Sequence, residues 1–179
     1  MKKFSKKIAG VLLLVLTLLL SVGCFASDAT SKGNAVNKKF PAFRTFDLNG
    51  NDVTQNIFKG KKVTVINIWG TFCPPCIGEM PELGKWAKEM PKNAQIIGIV
   101  CDAKDENDKK IKDAALKIMK DSNAEFVNLL PSKEIMGYLE NVEAVPTTIF
   151  VDENGNILGS AVVGANVEEY KKRVSEYLK

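Results

Sequence analysis

The sequence predicts an α/β domain built on a mixed central β-sheet with helices on both faces and an added N-terminal β-hairpin. Three observations carry that prediction. Strand-like and helix-like segments alternate from residue 63 onward, the order that lays helices over a sheet. The run from Val63 to Trp69 is uncharged, mostly apolar and rich in β-branched residues, as a strand covered on both faces must be. Glu153-Asn154-Gly155-Asn156 separates two apolar runs with hairpin-turn residues, so part of the sheet is antiparallel.

The elements follow in order. Phe43 to Leu48 alternates in polarity, Asn49-Gly50-Asn51-Asp52 supplies turn residues and Val53 restarts a strand, which gives the N-terminal hairpin. After the central strand, Pro74 to about Glu89 suits a helix, with Met80, Leu83, Ala87 and Met90 facing the sheet and Pro81 expected to kink it. Gln95 to Cys101 is the next strand. Asn107 to Lys120 is a charged amphipathic helix with Ile111, Ala114, Ala115, Ile118 and Met119 inward, followed by a strand over Phe126 to Leu129. A helix over Lys133 to Glu140 precedes the Val145-Pro146 step. Strands over Thr147 to Asp152 and Ile157 to Val163 and a helix from Asn166 to Leu178 complete the chain. No internal repeat or second domain boundary interrupts this order, which is the layout of a thioredoxin fold.

The net charge of +4 does not describe that domain. Lys2, Lys3, Lys6 and Lys7 are the only charges before Cys24 and account for all of it, so the rest of the chain is balanced and nothing in it points to nucleic acid. Those lysines precede an apolar run from Ile8 to Leu20, shorter than the ~18 residues of a spanning helix and suited to a secretory signal. The run ends in Leu20-Ser21-Val22-Gly23-Cys24, which resembles a bacterial lipobox, although Ser21 stands where leucine is usual and Leu20 lies one position further out. Cys24 is then the lipidation site. A cut after Ala26, releasing a soluble protein, is the alternative. The expected organisation is a signal peptide over residues 1–23, a lipid-anchored flexible tether over 24–39, rich in Ser, Asn, Lys, Ala and Gly, and a thioredoxin-like domain over 40–179.

Four cysteines in an exported chain would ordinarily suggest a disulfide framework. With Cys24 given to lipid, a close pair, Cys73 and Cys76, and a distant Cys101 remain. A two-residue spacing closes a loop too small to restrain an unfolded chain much, so the pair reads as reactive rather than structural. Zinc uses the same spacing but wants four ligands, and this chain has no histidine. The pair stands where a buried strand ends and a helix starts, and there the helix dipole and free N–H groups stabilise a thiolate. Cys73 lies at the open helix end and Cys76 a turn further in. Pro74 and Pro75 between them delete two backbone N–H donors, which makes that stabilisation modest and puts Cys73 nearer the ~7 of thioredoxin than the ~3.5 of DsbA.

Trp69 to Pro81, together with Val145-Pro146-Thr147-Thr148, resembles the active site of TlpA/ResA-type thioredoxin-like thiol-disulfide oxidoreductases in their bacterial lipoprotein form, and the resemblance extends from about Phe40 to the end. It implies that Cys73 is the nucleophile, that Cys76 resolves the mixed disulfide and that Glu79 assists proton transfer at Cys76. The residue's plainer role is a helix-start carboxylate favoured by the dipole. Asn67 stands where thioredoxin has a buried aspartate, and an amide cannot act as a base, which leaves Glu79 as the nearest candidate. The resemblance also implies a cis Val145–Pro146 bond lying against the cysteines, with Val145 offering its backbone to an extended substrate. Trp69, Phe72, Pro74, Pro75, Val145 and Pro146 are the expected substrate-binding residues, Trp69 and Phe72 as packing and an apolar rim. Cys101 ends an apolar strand and reads as a small hydrophobe.

Three functions compete: a reductase of exported proteins, an oxidase that installs disulfides in secreted proteins, and a non-catalytic lipoprotein with structural cysteines. The Pro-Pro dipeptide and Glu79 favour the first. The resemblance implies electrons from a membrane thiol carrier of the CcdA type, and apocytochrome c or methionine sulfoxide reductase would fit a thioredoxin-like groove; the lipobox puts the chain on the outer face of the cell membrane, and a monomer without metal or cofactor is expected.

Overall fold

The structure, a computed structural model, describes residues 39–105 and 107–179, so the expected signal peptide, Cys24 and nearly all of the expected tether lie outside the described residues. The central strand β3 (Val63–Trp69) is buried at every position. It pairs in parallel with β4 (Ala94–Val100), from Val63 opposite Ala94 to Trp69 opposite Val100, and antiparallel with β6 (Thr147–Val151). The sheet order is β5-β4-β3-β6-β7, with β5 (Asn128–Leu129) parallel to β4 and β7 (Val162–Val163) antiparallel to β6. A mixed sheet flanked by helices, as expected, is what forms.

Alternation along β3 builds two cores. Val63, Val65 and Trp69 face α1 (Pro74–Glu89), α2 (Lys109–Asp121) and α4 (Val167–Leu178), through Met80, Leu83 and Trp86, through Ala115 and Met119, and through Tyr170 and Val174. Ile66 and Ile68 face the other side, covered by Ile135 of α3 (Lys133–Leu139) and by a cluster of Phe40, Phe43 and Phe58 from the N-terminal segment. Burying each such side chain contributes about 1.5–3 kcal/mol. The α1 stripe is therefore Met80, Leu83 and Trp86, with Ala87 and Met90 only half-buried. The helix continues through Pro81, on its exposed side, to Glu89.

The expected hairpin is β1 (Arg44–Phe46) against β2 (Asp52–Thr54). Leu130 donates to the Phe46 carbonyl at 2.9 Å and Leu48 to that of Asn128 at 3.0 Å, so the hairpin covers the edge of β5 that would otherwise stand unpaired. Its turn, Asp47-Leu48-Asn49-Gly50-Asn51, is built like Asp152-Glu153-Asn154-Gly155-Asn156. In both, one aspartate oxygen accepts the N–H groups two and four residues on, and the other accepts the asparagine side chain. Lys39, expected in the tether, bridges to Asn156 in the second of these turns.

The last strand differs from expectation. Ile157 bridges Val151 and Leu158 donates to Phe150 at 2.8 Å, but pairing then lapses until β7. Gly159 is the reason: it adopts φ +66°, and a Cβ there would collide with the Tyr177 hydroxyl, which donates to the Leu158 carbonyl at 3.0 Å.

Candidate active site

Strand β3 delivers the chain to the site, and the loop after it is tied down on both sides. Cys101 N–H donates to the Trp69 carbonyl at 2.8 Å, and Asp102 accepts from the Thr71 N–H at 3.1 Å and the Thr71 hydroxyl at 2.6 Å. The chain then turns into α1 with Cys73 as its N-cap and Pro74 and Pro75 as its first two residues. Prolines preset the backbone for a helix start but have no N–H. The first donor is therefore that of Cys76, and it reaches the Cys73 sulfur at 3.3 Å. Cys73 and Cys76 are joined as a disulfide, with Cα atoms 5.3 Å apart. Both are buried, Cys73 keeping 4 % of its surface exposed and Cys76 none.

The Val145–Pro146 peptide is cis. Its segment lies against the pair, the Val145 carbonyl oxygen being 3.5 Å from the Cys73 sulfur, and the Pro146 carbonyl accepts the Gly164 N–H at 2.8 Å. Val145 is half-buried and Pro146 buried, while Pro74 and Pro75 are exposed. Phe72 is 67 % exposed beside Cys73, its ring lying over Gly70, where a Cβ would come within 2.5 Å of it. Phe72, Pro74, Pro75 and Val145 thus give the Cys73 end of the pair an apolar rim.

Trp69 does not belong to that rim. It was expected to contact substrate, but it has no exposed surface, and its indole N–H donates to Asn128 Oδ1 at 2.7 Å beneath the sheet end. Asn128 fits there because Gly98 opposite it lacks a side chain; a Cβ at Gly98 would overlap the amide. Trp69 is a packing residue of the core.

Glu79, 6 % exposed on α1, faces inward one turn beyond Cys76. Asn67 donates from Nδ2 to its Oε1 at 2.8 Å and to the Thr148 hydroxyl at 3.0 Å, while Asn67 Oδ1 is buried without a partner among the described residues. The Tyr170 hydroxyl lies 3.2 Å from Glu79 Oε2. Burial holds the Glu79 carboxyl above the usual carboxylate range, against the lowering effect of the Asn67 and Tyr170 hydrogen bonds. Asn67 and Thr148 stand opposite each other in the β3–β6 register, so the polar cluster is assembled by β3, β6, α1 and α4 together. Sequence reasoning reached Asn67, Glu79 and Thr148 but missed Tyr170 and Asp102. A tyrosine on the inner stripe of the last helix was the available signal for Tyr170, because a buried hydroxyl needs a partner.

Cys101 is half-buried in the core on the opposite face of the sheet. Burial pushes its thiol up to about 11, and the Asp102 carboxylate adds to that. Among the described residues no group of three or more His, Cys, Asp or Glu side chains is placed to hold a metal ion.

A thioredoxin fold presenting a dithiol/disulfide pair at a helix start, against a cis-proline and above a buried acid, defines a thiol-disulfide oxidoreductase. The chain belongs to the Redoxin family, whose model matches residues 35–178. It is similar to the thiol-disulfide oxidoreductase ResA of Bacillus cereus, at 28% identity over 187 residues covering 100% of this chain and 98% of that protein. It is also similar to the thiol:disulfide interchange protein DsbE of Vibrio cholerae, at 29% identity with 96% of this chain and 93% of that protein covered. Among solved structures, a DsbE-type thiol:disulfide interchange protein from Chlorobium tepidum superposes with a TM-score of 0.64 at 25% identity, covering 79% of this chain and 96% of that one.

Proposed function

We propose that this enzyme is an extracytoplasmic, membrane-anchored reductase of disulfides in exported proteins, held to the outer face of the cell membrane through lipid on Cys24. The observation that carries the direction is the helix start. Among the described residues only the Cys76 N–H reaches the Cys73 sulfur, and Pro74 and Pro75 have none to offer. A strong oxidant such as DsbA owes its potential to a stabilised reduced form. A pair with one donor lacks that stabilisation, and its electrons pass readily to a substrate.

In the reaction, the Cys73 thiolate attacks one sulfur of a substrate disulfide, forming a mixed disulfide and releasing the other sulfur as thiolate. Cys76 gives its proton to Glu79 and attacks Cys73, which restores the Cys73–Cys76 bond and frees the second substrate sulfur. Phe72, Pro74, Pro75, Val145 and Pro146 form the surface on which the substrate backbone lies. A membrane thiol carrier of the CcdA type returns two electrons, and apocytochrome c or methionine sulfoxide reductase are fitting substrates.

The direction is tested by the reduction potential of the pair, measured by equilibration with glutathione or dithiothreitol. The expected value is near the ~−270 mV of thioredoxin; a value near the ~−120 mV of DsbA makes the enzyme a disulfide-forming oxidase. Mass spectrometry of the membrane fraction tests the anchor, with diacylated Cys24 expected and a free N-terminus after Ala26 contradicting it.

A further inference from the structure

Tyr170 is fully buried on α4, and its hydroxyl meets four polar groups, one of them the Thr148 hydroxyl. The Asn166 N–H donates to it at 3.2 Å, the Gly164 carbonyl accepts from it at 2.8 Å, and Glu79 Oε2 lies at 3.2 Å. A tyrosine hydroxyl has one hydrogen to give. The Gly164 carbonyl can only accept, so with the hydrogen directed there, the contact with Glu79 is a hydrogen bond only when Oε2 carries a proton. With Glu79 ionised, the hydrogen must turn to Oε2 and leave the Gly164 carbonyl without it. The other carboxyl oxygen, Oε1, already accepts from Asn67, which directs a proton to Oε2.

We propose that Tyr170 is a positioning residue that holds the Glu79 proton on Oε2 while the cysteines are a disulfide and turns its own hydrogen to the Glu79 carboxylate when they are a dithiol. The inference rests on the exchange chemistry proposed above and deepens it. The proton balance agrees with the geometry. When Cys76 resolves a mixed disulfide, its S–H bond breaks, the proton passes to Glu79 Oε2, the Cys76–Cys73 S–S bond forms and the substrate sulfur leaves with the electron pair. The disulfide form seen here is then the one in which Glu79 is protonated. When a donor dithiol attacks Cys73, Cys76 leaves as thiolate and takes that proton back. Because Gly164 also donates to the Pro146 carbonyl, the hydroxyl that serves Glu79 is tied to the segment lying against Cys73.

The groups facing Glu79 are few. Asn67 and Thr148 come from the sheet and are neutral. From α1, Glu82 opposes ionisation of Glu79 and is itself paired at 2.7 Å with Lys171 of α4. Burial raises the Glu79 carboxyl, consistent with a proton held at rest.

The test is a pH titration of the full-length protein labelled with carboxyl-13C glutamate, in both redox forms, with the Glu79 resonance assigned by its loss in Glu79→Gln. The disulfide form of the wild type is expected to titrate above the ordinary ~4.3, and above the dithiol form. Tyr170→Phe keeps the ring but removes the hydroxyl, and with it the stronger, charge-assisted bond to the carboxylate. Its midpoint is expected to rise by about one pH unit, with the pH profile of kcat moving alike and KM unchanged. Equal midpoints in wild type and Tyr170→Phe overturn the proposal. So does a wild type whose two redox forms titrate alike, a comparison that does not depend on the Tyr170 variant. Failure of the exchange chemistry itself would appear separately, as a wild type that does not reduce insulin disulfides with dithiothreitol as donor.

Discussion

The reducing character of the pair turns on a missing donor, and restoring that donor tests it. A helix N-cap acceptor takes the N–H of the second or third helical residue. Here the second is Pro75, which has none, and the third is Cys76, whose N–H reaches the Cys73 sulfur at 3.3 Å. Pro75→Ala returns an N–H to the second position. A hydrogen bond added at this helix start contributes about 1 kcal/mol, the central net value for a protein hydrogen bond. At fixed pH that raises the thiolate fraction of Cys73 roughly fivefold, and because it stabilises the reduced form it raises the potential by about 20 mV. Pro74→Ala is the control, since the first helical N–H points away from the cap and the change in chain stiffness is comparable. The assays are the pH dependence of iodoacetamide alkylation of Cys73 and equilibration against glutathione. If Pro75→Ala and Pro74→Ala move the potential equally, or if Pro75→Ala lowers it, the helix-start account of the direction is wrong.

Other consequences follow from the buried groups. Glu79 is held above its ordinary range in the folded disulfide form, so the folded state binds more protons than the unfolded chain above the ordinary glutamate range. The disulfide form should therefore lose stability as pH rises from that range through the raised value, and urea titrations at a series of pH values should show that slope flattened in Glu79→Gln. The same variant should slow resolution of the mixed disulfide by about 100-fold or more, read as accumulated mixed disulfide in stopped-flow experiments. Asn128→Ala strands the Trp69 indole N–H in the core and should cost about 1–3 kcal/mol by urea unfolding without changing the potential. With its thiol at about 11, Cys101 is roughly one part in a thousand thiolate at pH 8, so iodoacetamide should label Cys73 well before Cys101, and Cys101→Ser should leave exchange rates unchanged.

The parts of this molecule that could be read from the sequence are those set by neighbours in the chain. The β3 run, the proline-marked start of α1 and the Asn-Gly turns are local signals, and every element but the last strand stands within a residue or two of its expected place. What could not be read depends on partners far along the chain. Trp69 looks like a rim residue because it adjoins the cysteines; its burial depends on Asn128, 59 residues away, and on the space above Gly98. The interruption before β7 comes from Tyr177 occupying the place of a Gly159 side chain. The stripe Val167, Tyr170, Val174 says that Tyr170 points inward but not that its hydroxyl meets Glu79, 91 residues earlier.

That polar cluster carries a physical implication of its own. Asn67 interrupts the apolar positions of β3 between Val65 and Trp69, and its register partner Thr148 does the same on β6. A valine pair there would bury the same volume with no polar group to satisfy. Two more polar side chains, from α1 and α4, then complete the cluster against the same sheet face as the Cys73–Cys76 pair. Buried polar networks gain little stability over apolar packing and lose heavily when one member is unsatisfied, as Asn67 Oδ1 is here. Stability therefore does not account for placing four such residues on that face, whereas the chemistry does. Cys76 is fully buried, so any proton it gives up or recovers during exchange must be handed to a group inside the protein. In the exchange chemistry proposed above Glu79 is that group, and the Asn67 and Tyr170 contacts around it would allow one carboxyl to be held in either protonation state.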